Sequence, residues 1–250
     1  MTSFSLGEAF EATNLNSYIS RSTDSGKTWE EPKPILNPGQ RTPQASNCVR
    51  LTALDNGVVY ALLVEHDRSG LFQIGFANPD NLGFVPTKTF LVRSFDYGYT
   101  WETPVMIEPP LIGPSFELCC PVVRLKNDTL IWPTSTWRGW DGYCPNGMKM
   151  VAWVSKDGGD TWPSYMEVMN GVENGIIFWE GKIIPLDDDM LLAAAWAYDE
   201  ANGRDLPNHY AISCDGGDSW TPYASTGILG QTIEITRLSD GRILSVYRRV

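Results

Sequence analysis

One eight-residue pattern, S-x-D-x-G-x-[ST]-W, constrains the fold more than any other feature because it occurs four times. Its Asp residues are separated by 72, 61 and 58 residues. Recurrence at such intervals indicates one supersecondary unit repeated along the chain. We call each copy a box, and the four boxes are Ser22–Trp29, Ser94–Trp101, Ser155–Trp162 and Ser213–Trp220.

A second recurring feature alternates with the first and predicts β-hairpins. Each copy is a short Asp-, Asn- or Gly-rich turn between two apolar runs, which is typical of a tight turn joining antiparallel strands. One period therefore reads as strand, hairpin, strand, long loop, strand, box turn, strand. Such a four-stranded unit, repeated, predicts an all-β propeller. The four turns begin at Leu54, Leu125, Leu186 and Leu238.

The box residues are predicted to have structural roles. The Asp carboxylate can accept backbone N–H groups across the turn, the Gly allows positive φ, and the Trp is expected to be buried between neighbouring sheets. The segment 190–197 has a helix-forming composition, but the repeat register predicts a strand there.

Composition excludes several classes of function. The net charge of -11 argues against an extended nucleic-acid surface. The five Cys form no CxxC pair, and the two His are far apart, so neither a metal site nor a cofactor is predicted. A run of three acids, 187–189, is read as a turn before it is read as a calcium site. No apolar stretch is long enough for a membrane span.

Each box is followed within three residues by Pro, and with this feature the chain resembles the sialidase (neuraminidase) superfamily of Asp-box, or BNR-repeat, propellers. The resemblance extends from about residue 7 to residue 250. It implies a six-bladed β-propeller, of which residues 1–250 would form four to five blades of a single domain that is incomplete at both ends. The alternative left open is a closed ring of four blades. The prolines are Pro32, Pro104, Pro163 and Pro222.

In such a propeller the boxes lie on the face away from the active site, so the long middle loops and the segments before the first strands should form the mouth. Interleaved Arg, acidic and aromatic residues in these loops suit a carbohydrate site. The alternative is that they are ordinary solvated ion pairs. The candidate substrate-binding residues there are Arg138, Trp140, Asp141 and Arg204, and Glu65–Gly70 and Tyr198–His209 are two of the loops.

The resemblance implies three Arg that bind the sugar carboxylate, an Asp acid/base catalyst and a Tyr nucleophile paired with Glu. The family's second Arg lies eight residues beyond a hairpin Asp, which matches Arg248, with Arg249 as the neighbouring alternative. The family's Glu lies about eight residues before that Asp, where this chain has Thr232. Glu234, two residues further along the strand, is the predicted substitute, and Glu117 is a competing carboxylate.

The family's acid/base residue precedes the first box by about eleven residues, which is Glu11, with Glu8 as a competitor. Arg41-Thr42-Pro43 is similar to the family's Arg-Ile-Pro motif but follows the first box, so the two are not equated. The remaining Arg and the Tyr nucleophile are expected outside residues 1–250.

The leading hypothesis is a sialidase-like, exo-acting glycoside hydrolase that removes a terminal, acidic sugar from a glycan. Its catalytic residues would be Glu11 and Glu234. The alternative is a non-catalytic Asp-box propeller that binds glycan or protein, and a hydrolase for a neutral or uronic sugar is a third hypothesis. The sequence shows no signal peptide and leaves the compartment open, with secreted and periplasmic locations both compatible.

Overall fold

The computed structural model describes residues 1–9, 11–40, 42–70, 75–187 and 189–249. These residues form eighteen β-strands and three single 3₁₀ turns, so the described part of the chain is all-β as predicted. None of its helical turns is long or apolar enough to cross a membrane. The chain divides into two compact units, which are Met1–Glu108 with Gly139–Tyr143 (unit 1) and Pro109–Arg138 with Cys144–Val250 (unit 2).

Unit 1 contains two antiparallel sheets in up-and-down order. The first consists of β1 (Thr2–Leu6), β2 (Asn16–Ser20) and β3 (Lys33–Pro34). The second consists of β4 (Ala45–Ala53), β5 (Val59–Asp67), β6 (Thr87–Ser94) and β7 (Val105–Ile107).

Unit 2 contains three antiparallel sheets of the same kind. In the first, β8 (Ser115–Phe116) and β9 (Val123–Arg124) both pair with β10 (Leu130–Trp137), which is followed by β11 (Met150–Ser155) and β12 (Ser164–Met169). The next is β13 (Ile176–Pro185), β14 (Leu191–Asp199), β15 (Arg204–Ser213) and β16 (Ala224–Leu229). The last pairs β17 (Gln231–Arg237) with β18 (Ile243–Arg248).

The predicted strand order is confirmed in the sheet β4–β7. The hairpin at Leu54 joins β4 to β5, a long connection leads to β6, and the box turn joins β6 to β7. The segment 190–197 lies mostly in β14, so repeat register was a better guide than helix propensity. Its Ala residues are buried, because strand pairing places a small side chain where neighbouring sheets pack closely.

The four box turns share one hydrogen-bond pattern. The Ser hydroxyl donates to the Asp carboxylate over 2.7–2.8 Å and accepts the N–H of the Gly over 2.8–2.9 Å. The backbone N–H of the Thr or Ser four residues beyond the Asp donates to the same carboxylate over 2.8–3.0 Å. These hydrogen-bond donors lower the pKa of each box Asp to about 2. The largest contribution comes from the side-chain hydroxyl of the Thr or Ser four residues beyond the Asp.

The prediction for the box Trp holds at one copy and is wrong at another. Trp162 is 3% exposed, whereas Trp29 is 49% exposed. Trp29 and Trp162 nevertheless donate the same hydrogen bond, to the carbonyls of Gly26 and Gly159 respectively. The turn therefore forms from its own side chains, and packing against a neighbouring sheet is a separate contribution.

Register shows which end of a unit 2 sheet carries the loops. Leu191 pairs with Pro185 in the hairpin and with Ser213 at the box turn. At the opposite end, Asp199 pairs with Ile176 and Arg204. The predicted loop Tyr198–His209 is corrected, because β14 runs to Asp199 and β15 begins at Arg204.

Two first strands of unit 2 sheets carry the same distortion. The register of β13 shifts between Trp179 and Lys182, and that of β17 shifts between Gln231 and Glu234. Within each shift lies a non-glycine residue with positive φ, Glu180 (49°) and Thr232 (53°). Such bulges re-aim side chains at the edge of a sheet, and strained conformations of this kind cluster at functional sites.

Candidate functional site

Two predicted Arg residues of unit 2 form ion pairs at the end of the sheets opposite the box turns. Arg138 follows β10 and contacts the Glu200 carboxylate. Arg204 begins β15 and lies 3.4 Å from Asp199, with its side chain 67% exposed. The Arg204 pair matches the alternative of a solvated ion pair, which contributes little to stability, whereas the Arg138 side chain is only 18% exposed. The two ion pairs also place two guanidinium groups at the loop end of unit 2.

A row of aromatic rings lies in the same sheets. Trp137 stacks on Trp179 with ring centroids 5.0 Å apart and an interplanar angle of 11°. Trp179 in turn lies 4.1 Å from Trp196 and 5.8 Å from Tyr198. The buried indole N–H of Trp179 has no hydrogen-bond partner within the described part of the chain. Flat rings with a polar N–H suit the apolar faces and hydroxyls of sugars.

Arg248 is held to this aromatic row by a chain of polar contacts. Its guanidinium donates to the side-chain oxygen of Gln231. The Gln231 amide donates to Asp205 over 2.8 Å, and Asp205 accepts the indole N–H of Trp196 over 2.6 Å. The pairing of Gln231 with Arg248 across β17 and β18 places Arg248, the predicted carboxylate-binding residue, at the bulge that contains Thr232.

Carboxylates from three different sheets lie around Lys182. Glu117 follows β8, and one of its carboxylate oxygens accepts the backbone N–H of Glu180 over 2.8 Å. The Lys182 ammonium, 8% exposed, donates to the carbonyl of Cys119 and lies 3.6 Å from Glu234. Glu234 itself is 63% exposed. The predicted Glu234 thus belongs to a group with Glu117, Glu180 and Lys182.

The electrostatics of this group favour a protonated Glu117. Burial and the nearby charge of Glu180 raise the pKa of Glu117 to about 7, against smaller opposing contributions from the Glu180 N–H and Lys182. Burial also raises the pKa of the neighbouring Cys119 thiol, so that thiol is not a nucleophile. A carboxyl with a pKa near 7 can donate a proton at neutral pH.

Glu11 lies in unit 1, in a different charged cluster. Its carbonyl accepts a hydrogen bond from the Arg68 guanidinium over 2.8 Å, and its carboxylate accepts the N–H of Ala77 over 3.4 Å. Arg68 is 1% exposed and donates to the Ser46 hydroxyl over 2.8 Å. Desolvation lowers the pKa of Arg68, while attraction to Glu11 opposes this shift.

The competitor Glu8 is exposed, whereas Glu65 and His66 of β5 are buried. Glu65 accepts the Thr42 hydroxyl over 2.5 Å and the Thr42 N–H over 3.3 Å. Burial, followed by the charge of Arg68, lowers the pKa of His66 to about 4, and its ring stacks on Phe76 at 4.5 Å.

Trp140 and Asp141 also lie in unit 1, and the contacts of each are local. The Trp140 carbonyl accepts the side-chain amides of Asn78 and Asn81 over 2.9 and 3.2 Å. The exposed Asp141 accepts the N–H of Tyr143 over 3.0 Å, as in an Asx turn. Arg41 and Asp188 lie outside the described residues. Among those residues, no three His, Cys, Asp or Glu side chains are placed to hold a metal ion.

A cavity of about 430 Å³ in unit 1 lies beside the box turns, away from these charged groups. Arg21 in its wall is already engaged, by Glu30 at 2.7 Å and by the carbonyl of Gly98 at 2.8 Å. The Tyr99 ring covers the Arg21 guanidinium at 3.8 Å. We therefore assign this cavity to the packing of the boxes.

Glu180 is a site residue that was not named from the sequence, although a signal for it exists. It lies eight residues before Asp188, as Thr232 lies eight residues before Asp240. The family spacing that leads to Thr232 therefore leads to a glutamate one repeat earlier. Both positions have positive φ inside a bulge, which makes them structurally equivalent.

Comparison with known proteins identifies similar folds. No protein-family model and no curated protein matches the sequence. A Hadza microbial sialidase, Hz136, matches with a TM-score of 0.71 and 17% identity over 97% of this chain and 49% of its own. A protein of unknown function from Dyadobacter fermentans matches with a TM-score of 0.68 and 20% identity over 97% of this chain and 66% of its own.

The Trypanosoma rangeli sialidase in complex with sialic acid matches with a TM-score of 0.64 and 15% identity over 94% of this chain. This chain covers 39% of that structure, and so spans between 39% and 66% of the three proteins. At these identities the similarity shows a shared fold.

Proposed function

We propose that the protein is a sialidase-like, exo-acting glycoside hydrolase that removes a terminal, acidic sugar from a glycan. The observation that carries this proposal is the group of Glu117, Glu180, Lys182 and Glu234, together with the aromatic row in the same unit. Hydrolysis of a glycosidic bond needs carboxyl groups in two protonation states, and an aromatic ring supplies a surface for the sugar. The sialidases of similar fold support the substrate class.

Each predicted residue has a role in this proposal. Arg248 would bind the sugar carboxylate, since a guanidinium presents a planar pair of donors to it. Arg138 and Arg204 would line the mouth at the loop end of unit 2. Glu234 would pair with the nucleophile. In unit 1, Glu11 would be an acid/base catalyst, and Trp140 and Asp141 would contact the glycan.

We further propose that the sheets are four to five blades of a six-bladed propeller in one domain, residues 1–250. The strand order within each four-stranded sheet supports this proposal, and so does the likeness to sialidase structures that are longer than this chain.

Hydrolysis of a fluorogenic sialic-acid glycoside tests the function. Arg248→Ala is expected to lower kcat/KM by about 100-fold, because a charge-assisted pair with the sugar carboxylate is lost. The matched control is Arg242→Ala on the hairpin before β18, where Arg242 is 77% exposed and pairs with Asp240. Arg249→Ala tests the neighbouring register.

No turnover of the sialoside by the unaltered protein would remove the proposed activity. Equal losses of kcat/KM in Arg248→Ala and Arg242→Ala, with unchanged melting temperatures, would remove only the carboxylate-binding role of Arg248. Loss confined to Arg249→Ala would transfer that role to Arg249.

The second candidate function is a non-catalytic protein that binds glycan. The half-buried rings of Trp179 and Tyr198 favour it, because stacking alone binds sugars without chemistry. Trp137 and Trp196 are buried and pack against Trp179. Binding on a glycan array that Trp179→Ala abolishes, in a protein with no hydrolytic activity, would select this function. A neutral or uronic sugar hydrolysed in the same screen would select the third hypothesis.

A further inference from the structure

The backbone of Glu117 is fixed on both sides by β10. Its N–H donates to the carbonyl of Ser135 over 3.1 Å, and its carbonyl accepts the Thr134 hydroxyl over 2.7 Å. Thr134 and Ser135 are both fully buried. A carboxyl group on so rigid a support keeps its position through a reaction cycle.

The partner of Glu117 is held in a strained conformation. Glu180 has a φ of 49° in the bulge of β13, a region that non-glycine residues seldom occupy. This conformation turns its N–H toward the carboxylate of Glu117. One oxygen of the Glu180 carboxylate is buried and has no hydrogen-bond partner among the residues that the structure describes. A buried acceptor that is left unmatched is costly, so its presence calls for an explanation, and a functional role is one.

The charges around this pair come from three elements. Glu180 and Lys182 face Glu117 from β13, the Cys119 thiol lies on the same segment as Glu117, and Glu234 extends from β17 toward Lys182. One lysine therefore lies among three carboxylates. Two carboxyl groups that lie close together do not both ionise readily, because their negative charges repel each other. One of them therefore retains a proton.

We infer that Glu117 is the proton donor for cleavage of the glycosidic bond, with Glu180 as the positioning residue whose backbone N–H holds its carboxyl group. This inference rests on the proposed function and assigns to Glu117 the step that the sequence assigned to Glu11. It also requires the glycosidic oxygen to lie within hydrogen-bond distance of the Glu117 carboxyl.

The chemistry balances as a hydrolysis. The Glu117 carboxyl transfers its proton to the glycosidic oxygen, the bond from that oxygen to the anomeric carbon breaks, and the oxygen keeps the electron pair and leaves as an alcohol. Water then adds to the anomeric carbon. The Glu117 carboxylate accepts the proton that the water loses, which restores the starting state.

Dependence on the leaving group tests this role. A methylumbelliferyl glycoside needs protonation of its leaving group more than a dinitrophenyl glycoside of the same sugar does. Glu117→Gln is expected to lower kcat by about 100-fold or more on the first substrate and by less than about tenfold on the second. Glu173→Gln is the matched control, because Glu173 is exposed in the 3₁₀ turn Val172–Asn174 of the same unit.

Direct titration gives a readout that does not depend on activity. With ¹³C-labelled glutamate, the Glu117 side-chain carbon is expected to titrate near 7 in the unaltered protein and at lower pH in Glu180→Gln. A structural role for Glu117 would not produce the leaving-group difference, and a titration near the ordinary glutamate value would overturn the inference.

The remaining outcomes separate the inference from the function on which it rests. If glycosides are cleaved and the leaving-group difference appears in Glu11→Gln instead, Glu11 is the donor and only the inference fails. If no glycoside of an acidic or neutral sugar is cleaved, the proposed function fails and the donor role fails with it.

Discussion

The two units each bury a cluster of ionisable groups, and the clusters differ in how their charges are satisfied. In unit 1, Arg68 donates to Ser46 and to the carbonyl of Glu11, and Glu65 accepts two hydrogen bonds from Thr42. In unit 2, Glu117 and Glu180 repel each other, and a buried oxygen of Glu180 has no partner in the described chain.

This difference distinguishes a cluster that stabilises the fold from a cluster that is suited to catalysis. A buried charge that is hydrogen-bonded rigidifies the structure around it, whereas a buried pair of like charges costs stability and shifts a pKa toward neutrality. Perturbed pKa values of the second kind are concentrated at functional sites. The cluster in unit 2 is therefore the candidate for catalysis, and that in unit 1 is the candidate for stability.

Among the variants that test this comparison, Arg68→Met is expected to change the free energy of unfolding most. The substitution leaves the buried Ser46 hydroxyl and the Glu11 carbonyl without their donor, so we expect the free energy of unfolding to fall by about 3–5 kcal/mol. Urea denaturation measures it, with the exposed Arg242→Ala as the control. A loss no greater than that of the control would show that the unit 1 cluster does not support the fold.

His66 should make unit 1 sensitive to acid. Its folded pKa of about 4 lies below the ordinary histidine pKa of 6.5, so between these values the unfolded state binds more protons than the folded state. The stabilisation is complete above pH 6.5 and is lost as the pH falls toward 4, by about 3 kcal/mol in total. Denaturation midpoints from pH 7 to 4 measure it, and a His66→Gln variant with the same slope would contradict it.

Glu117 should produce an effect of similar size and opposite sign. Its folded pKa of about 7 lies above the ordinary glutamate pKa of 4.5, so the folded state binds more protons between these values. Stability therefore falls as the pH rises from about 4.5 to 7. Glu117→Gln is expected to remove this slope and to gain about 3 kcal/mol relative to the original protein at pH 8. The same gain at pH 4 would show that the carboxylate pair is not its cause.

The repeat units could be predicted from the sequence because their chemistry is local. The hydrogen bonds from Ser22, Gly26 and Thr28 all reach across at most four residues, so each box turn forms wherever its residues occur. The same locality explains the hairpin at Leu54. Burial of the box Trp could not be predicted in this way, and Trp29 and Trp162 differ because burial depends on the neighbouring sheet.

The candidate site was only partly accessible from the sequence. Arg248 and Glu234 follow from spacing along one hairpin, where pairing of β17 with β18 brings Gln231 opposite Arg248. Glu11 was predicted from spacing along an irregular connection. Spacing in such a segment does not predict which side chains Glu11 contacts in the folded protein. Glu180 has the spacing that was applied to Thr232, but its importance depends on Glu117, which comes from another sheet.

By itself the sequence determined the all-β strand order, the box turns and the hairpins, because contacts within a few residues specify them. Only the tertiary structure decided which ionisable groups meet. Glu117 and Glu180 are 63 residues apart in the chain, and their mutual repulsion exists only when β8 and β13 are packed. Desolvation is likewise a property of the packed neighbours, so no reading of residue types along the chain could have assigned Glu117 a pKa near 7.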